Sequence, residues 1–425
     1  MTPQAAQVRR TYLTLTLLST LASSLIWGIN TLFLLSAGLS NTEAFAANAF
    51  YAIGEFVFEV PTGVVADTKG RRTSYLLGTV TLLVSTLLYL LMWQTQAPLW
   101  GWAIASILLG LGFTFFSGAT DAWLVDALRG SGYDGDLDSV FARGQVMSGI
   151  AMLTGTVAGG FIAQTTSLAV PYIVRAVLLG VVFVVAFLMM HDIGFSPRKM
   201  VNLRREVQTM LADSISISFG NRYVRWLILS APFVTGVGFY AFYAMQPYLL
   251  ELFGNQEAYG VAGLAAAVFS GSQIVGGWIV PYVRRILQRR TTLLLGEVLI
   301  ATLAIALIGL APRFWPVLVA FLAWAIVSSI AWPVRRAFLN GCISSERRAT
   351  VLSFDALMGS AGGAAFQPLL GRVADARGYP ASYLVAAALH AVAIPFLYLA
   401  RRQDAPGEFA GREPVTTSPP PAYPS

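Results

Sequence analysis

The chain has 425 residues, 56% of them hydrophobic and only 12% charged, with a net charge of +7. A soluble protein carries about 25% charge, so a string of soluble domains is excluded and helices facing lipid are expected. The single cysteine, Cys342, rules out an internal disulfide or a cysteine metal cluster, and His191 and His390 have no metal-motif spacing.

The basic residues come as pairs between apolar runs: Arg9-Arg10, Arg71-Arg72, Arg204-Arg205, Arg284-Arg285, Arg289-Arg290, Arg347-Arg348 and Arg401-Arg402. This is the pattern of loops flanking membrane helices, not of a nucleic-acid-binding face. Apolar stretches of about twenty residues read as spans. They fall at 11–38, 43–66, 73–93, 98–127, 139–164, 168–190, 223–250, 257–282, 291–311, 314–340, 347–371 and 379–400. The first is too long and continuous for a cleaved signal peptide.

With both termini placed inside, all lysines and arginines except Arg175, Arg313, Arg372 and Arg377 fall on the inner side. The positive-inside rule therefore orients a multi-pass protein of the cytoplasmic membrane with cytoplasmic termini. Residues 71–78 (RRTSYLLG) are echoed by 289–296 (RRTTLLLG), and both copies open the third helix of a half. The expected fold class is all-α, with twelve transmembrane helices in two pseudo-symmetric six-helix bundles. The expected organisation is a first bundle at 1–190, a basic cytoplasmic linker at 191–222, a second bundle at 223–402 and a disordered proline-rich tail at 403–425. Repeated halves with a site between them near the midplane are the plan of many secondary transporters. PPAY at 420–423 looks like a WW-domain ligand, but such strings are common in proline-rich tails.

The second span reads IGEFVFEVPTG and continues as VVADTKGRRTS. Its loop resembles the signature between helices two and three of the major facilitator superfamily. Gly63, Ala66, Asp67, Gly70, Arg71 and Arg72 match, Val65 stands for a leucine, and Thr68 departs from a basic residue. The resemblance covers nearly the whole chain apart from its tail. It implies a charge latch in which Arg71 joins Asp67 and Asp126, formed in the outward-facing state and broken in the inward-facing one. In the fifth span, GTVAGG is similar to the glycine-rich stretch of the antiporter subset, with Gly155, Gly159 and Gly160 matching and Thr156 replacing a proline. Small residues at this spacing also let membrane helices pack closely.

A charge at mid-bilayer costs about 2.5–3.5 kcal/mol on insertion scales, so intramembrane charges are functional or paired. Glu55 and Glu59 share a helix face at i,i+4. Asp121 or Glu59 is expected to pair with Arg143, and Arg335 or Arg336 with Asp355, because acid-then-base in one half faces base-then-acid in the other. Glu55 is left without a basic partner. A carboxyl in low dielectric can alternate between neutral and charged forms as water reaches it, which makes Glu55, with Glu59 and Asp121, a candidate for proton coupling. Glu297 is expected to snorkel toward the cytoplasmic arginines, His390 to be a packing residue, and Arg175 to set loop geometry or gate the outer side.

Cavity-lining helices in the superfamily would present Trp27, Asn30, Phe33, Phe115, Gln145, Tyr240, Tyr243, Met245, Gln246, Gln273, Trp324 and Gln367. This aromatic, amide-rich set suits amphipathic organic molecules. No Gly-Lys dipeptide, GxSxG or HExxH occurs, so a P-loop motor and common hydrolase signatures are excluded. The expectation is a non-enzymatic, cofactor-free monomer in the lipid bilayer. It resembles proton-coupled drug exporters and moves a small-molecule substrate against protons. Import of a small metabolite by symport is the alternative, and a channel fits less well.

Overall fold

In the computed structural model, residues 2–197, 203–344 and 347–409 are described; part of the expected linker and tail, including PPAY, lies outside them. The described chain is helical throughout its spans. α1 runs Pro3–Trp27 and continues after a 48° bend as Asn30–Ser36. Then come α2 (Asn41–Lys69), α3 (Arg71–Thr95), α4 (Leu99–Gly130), α5 (Leu137–Thr165) and α6 (Ala169–Met189). A linker helix, Leu203–Gly220, leads to α7 (Arg225–Phe253), α8 (Tyr259–Ile286), α9 (Arg290–Leu310) and α10 (Phe314–Gly341). The last helical stretch, Thr350–Arg401, has 52 residues. At 1.5 Å per residue it would be about 78 Å long, more than twice the hydrocarbon core of roughly 30 Å. It is divided at Gly378, whose φ of 79° takes it out of the helix. The result is α11 (348–377) and α12 (379–401), and twelve spans among the described residues.

Local chemistry explains the helix ends and breaks. Ser40 and Glu43 form a reciprocal capping box at the start of α2, and Asp136 caps α5 with its side chain. Two spans read from sequence as continuous are broken: α1 at residues 28–29, and α4 at 115–118, where Gly118 has φ 65°. In α7, Pro232–Gly236 form a π-turn, a local unwinding common at functional sites.

Each half packs internally, α1 on α5 and α2 on α4 in the first, α9 on α10 and α8 on α10 in the second. The halves meet through α2 on α11 and α5 on α8, helix pairs exchanged by the six-helix repeat. The side chains carrying these contacts lie at the end remote from the linker. Asp375 accepts from Asn41 N at 2.9 Å, Thr42 N at 2.8 Å and Thr42 Oγ1 at 2.6 Å. The Tyr379 hydroxyl donates to Asn41 Oδ1. Gly260 N donates to Gln164 Oε1 at 2.9 Å, and a Cβ on Gly263 would stand 2.9 Å from Gly160 Cα. Toward the linker end Gln145, Val146 and Trp332 are exposed. The hydrogen bonds just named join the two halves at the far end.

The start of the expected tail is structured. Residues 403–409 fold back on the linker ends of α9 and α10. Buried Glu408 accepts from Thr291 N at 3.1 Å and from the Thr291 hydroxyl.

Candidate substrate pathway and coupling site

The loop between α2 and α3 turns on Gly70, whose φ of 106° requires glycine. Gly63 has open space around it, so it makes no close backbone approach. Arg71 bonds Asp67 one turn earlier and stands 4.0 Å from Asp126 on α4, at the limit of an ion pair. The Arg72 guanidinium donates to the Phe187 carbonyl at 2.7 Å and lies over the Phe187 ring. Asp192 was not singled out from the sequence, yet its Oδ1 accepts from Arg72 N at 2.9 Å and caps α3. Every group in this cluster belongs to the first half or to the residues just after α6.

In the second half, Arg335 on α10 grips Asp355 on α11 with two hydrogen bonds of 2.9 and 2.6 Å. It also donates to Ser230 Oγ at 3.1 Å and the Leu227 carbonyl at 2.7 Å on α7, so one buried guanidinium ties three helices. Arg336 takes no part: it lies over the Trp332 ring at 4.9 Å.

The expected pair in the first half does not form. Arg143 is exposed and has no ion pair among the described residues. Glu59 instead accepts from Ser117 Oγ at 2.8 Å, at the break in α4. Asp121 begins the second segment of α4 and lines a cavity of about 210 Å³ with Tyr12, Thr120 and Gln145. Among the described residues Glu55 has no ion pair, but it is not without a partner: the Tyr51 hydroxyl, one turn earlier, donates to Oε1. Gly54 and Gly110 let α2 and α4 touch backbone to backbone beside it.

Two further cavities lie on either side of Trp27 and Tyr243, which line both. The larger, about 370 Å³, is walled by Phe239, Phe242, Phe269, Gln273 and Trp324, with Glu297 and Arg335 at its polar side. The smaller, about 230 Å³, sets Asn30, Asn48, Tyr51, Tyr89 and Arg175 among apolar walls that include Ile26, Leu109, Phe113 and Met152. Trp27, Asn30, Tyr243, Gln273, Trp324 and, at the linker end, Gln145 line these cavities. The other residues named as cavity lining from the sequence line none of these three. Phe33 stacks on Tyr172 in the far-end core, Tyr240 bonds Ser382 inside the second half, and Met245 is core. Gln246 is spent on the α1 break, and Phe115 packs on α3. Gln367 is buried and lines none of these three cavities. Gly155 and Gly159 seat α5 on Ser24 and Leu25 of α1, and Gly160 seats it on α8.

Glu297 and Arg175 are placed differently from the sequence expectation. Glu297 does not snorkel; it is buried against Ser328 and faces the aromatic cavity. Arg175 is no loop residue: it is 1% exposed, within α6. The signal for it was an arginine inside the apolar run YIVRAVLLG. His390 is, as expected, a satisfied buried side chain, bonded to Thr302.

A family model described as Major Facilitator Superfamily matches residues 12–311 and 281–423. The chain belongs to the major facilitator superfamily. Solved structures with this fold include the nucleoside transporter NupG (TM-score 0.70, 12% identity, 92% of this chain and 98% of that one). A bacterial homolog of the human lysosomal transporter Spinster aligns at TM-score 0.71 and 15% identity, over 97% of this chain and 100% of that one. The D-xylose–proton symporter aligns at TM-score 0.65 and 14% identity, over 93% and 96%. Characterised proteins searched by sequence give no match.

As a member of the superfamily the chain is a secondary transporter and not an enzyme. Its site is therefore a path between two halves, and the cavities on either side of Trp27 and Tyr243 are the candidate path. Among the described residues no cluster of His, Cys, Asp or Glu could hold a metal ion.

Proposed function

We propose that this facilitator is a proton-coupled antiporter that exports amphipathic organic compounds by alternating access, as a monomer in the cytoplasmic membrane. The observation that carries it is Glu55, a carboxyl midway along α2 that has no ion pair among the described residues and is bonded to the hydroxyl of Tyr51, which lines the smaller cavity. A carboxyl so placed can be charged or neutral depending on which side water enters from. Asp121, in the cavity at the linker end, is the second acid on the route, and Glu59 is bonded at the α4 break between them.

The arginine distribution supports a cytoplasmic linker end, and closure at the far end then fits an inward-facing state. Arg71 and Asp126, at 4.0 Å, are neither closed nor separated in it. The aromatic cavity supports an apolar, ring-bearing cargo. Export rather than import rests on the likeness of GTVAGG to antiporters.

A susceptibility panel in a host lacking its own pumps tests the reading. Protection lost on adding a protonophore is expected; no protection against any compound moves the assignment to uptake. In proteoliposomes, Glu55→Gln is expected to keep substrate exchange but lose its drive by a pH gradient, and retained drive would remove Glu55 from the coupling role.

A further inference from the structure

We propose that the cavity around Arg175 is an anion subsite that takes the carboxylate of an amphipathic substrate, whose apolar body lies past Trp27 and Tyr243 in the aromatic cavity. This rests on reading the two cavities as the transport path.

Arg175 is a buried cation without a counter-ion. Among the described residues it forms no ion pair; Nε donates to Thr86 Oγ1 at 3.1 Å, and Nη2 is buried with no partner. Burying a charge without compensation is expensive.

The neighbouring amides leave a second orphan of the same polarity. The Tyr172 hydroxyl donates to Asn30 Oδ1 at 2.8 Å, and Asn30 Nδ2 donates to Asn48 Oδ1 at 2.8 Å. That relay fixes both amides and leaves Asn48 Nδ2 without an acceptor. The hydroxyls of Tyr51 and Tyr89 are engaged, with Glu55 and Ser106. Arg175 and Asn48 line the same 230 Å³ cavity, and both have hydrogens to give. What completes the site is an acceptor with negative charge.

A planar guanidinium matches a carboxylate in a two-point bond. One cation with neutral amide donors balances a single negative charge; a phosphate dianion would need more. Trp27 and Tyr243 wall both cavities, so Phe242, Phe269 and Trp324 lie just beyond these two rings from a head held at Arg175.

The test is equilibrium binding to the full-length protein in detergent, with 4-phenylbutyrate, its methyl ester and 4-phenylbutylamine as probes. The wild type is expected to prefer the carboxylate to the ester by about tenfold, the strength of a charge-assisted bond, and to bind the amine most weakly. Arg175→Gln should bring the carboxylate-to-ester ratio close to one, with Arg175→Lys between. Asn48→Ala should lower the ratio about threefold, and it decides the question if Arg175→Gln does not fold. No carboxylate preference in the wild type, or an unchanged ratio in the variants, overturns the subsite. Counterflow in proteoliposomes separates the two readings. Arg175-dependent binding without exchange refutes the transport path and keeps the subsite. Exchange of ester or amine with no carboxylate preference refutes the subsite and keeps the path.

Discussion

Gln246 of α7 holds the broken backbone of α1 beside Trp27. Its Nε2 donates to the Trp27 carbonyl at 2.9 Å, and its Oε1 accepts from Thr31 N at 3.0 Å. A helix break in hydrocarbon leaves backbone groups that must be satisfied by protein, and here the other half of the molecule satisfies them. Gln246→Ala orphans both groups, each at a cost of about 1–3 kcal/mol. A lower melting temperature of the purified protein is expected, and an unchanged one would mean that the break does not depend on this bridge.

The far end is closed by a carboxylate of one half acting as a cap for a helix of the other. Asp375 takes both N–H groups at the start of α2 and the Thr42 hydroxyl, where the helix dipole also favours negative charge. Asp375→Ala removes charge-assisted bonds worth about 1.5–3 kcal/mol, enough to shift a two-state balance about tenfold or more. Spin labels at Gln96 and Arg313, in a Cys342→Ser background, should show a longer distance at that end; an unaltered distribution would assign the closure to apolar packing.

The Arg335–Asp355 pair should be the most damaging polar site to break in the second half. Removing either partner strands a buried charge, at about 3–5 kcal/mol. Arg335→Gln and Asp355→Asn should each reduce folded yield. The exchanged pair, Arg335→Asp with Asp355→Arg, should recover part of it. Arg336→Gln should be close to neutral, because that guanidinium only covers an exposed tryptophan.

Truncation distinguishes the packed start of the tail from the residues beyond Phe409. Ending the chain after Phe409 should leave thermal stability unchanged. Ending it after Arg402 removes Glu408 from Thr291 and Arg289 and should cost about 1.5–3 kcal/mol. Glu408→Ala should reproduce most of the loss; if it does not, the contacts of Ala405 and Gly407 carry the stability instead.

Much of this molecule could be read from local sequence. Hydropathy marks a span wherever about twenty apolar residues run together, and arginine pairs mark the loops, because both are properties of short stretches. The turn at Gly70 was equally legible, since one backbone conformation demands one residue. Partner choice was not legible in the same way. Arg143 and Arg336 stood in the right spans with the right sign, but each helix is rotated so that one points outward and the other covers a tryptophan, while Arg335 reaches Asp355. Arg175, counted with the outer residues by its place in the chain, is buried among amides and tyrosines drawn from α1, α2, α3 and α6. The order of residues is enough to dictate that the chain crosses a membrane twelve times in two like halves. Which charges meet, and which cation is left waiting, is settled by packing, because those outcomes depend on helix rotation and on contacts between different helices, such as Arg335 with Asp355 and Arg175 with Thr86.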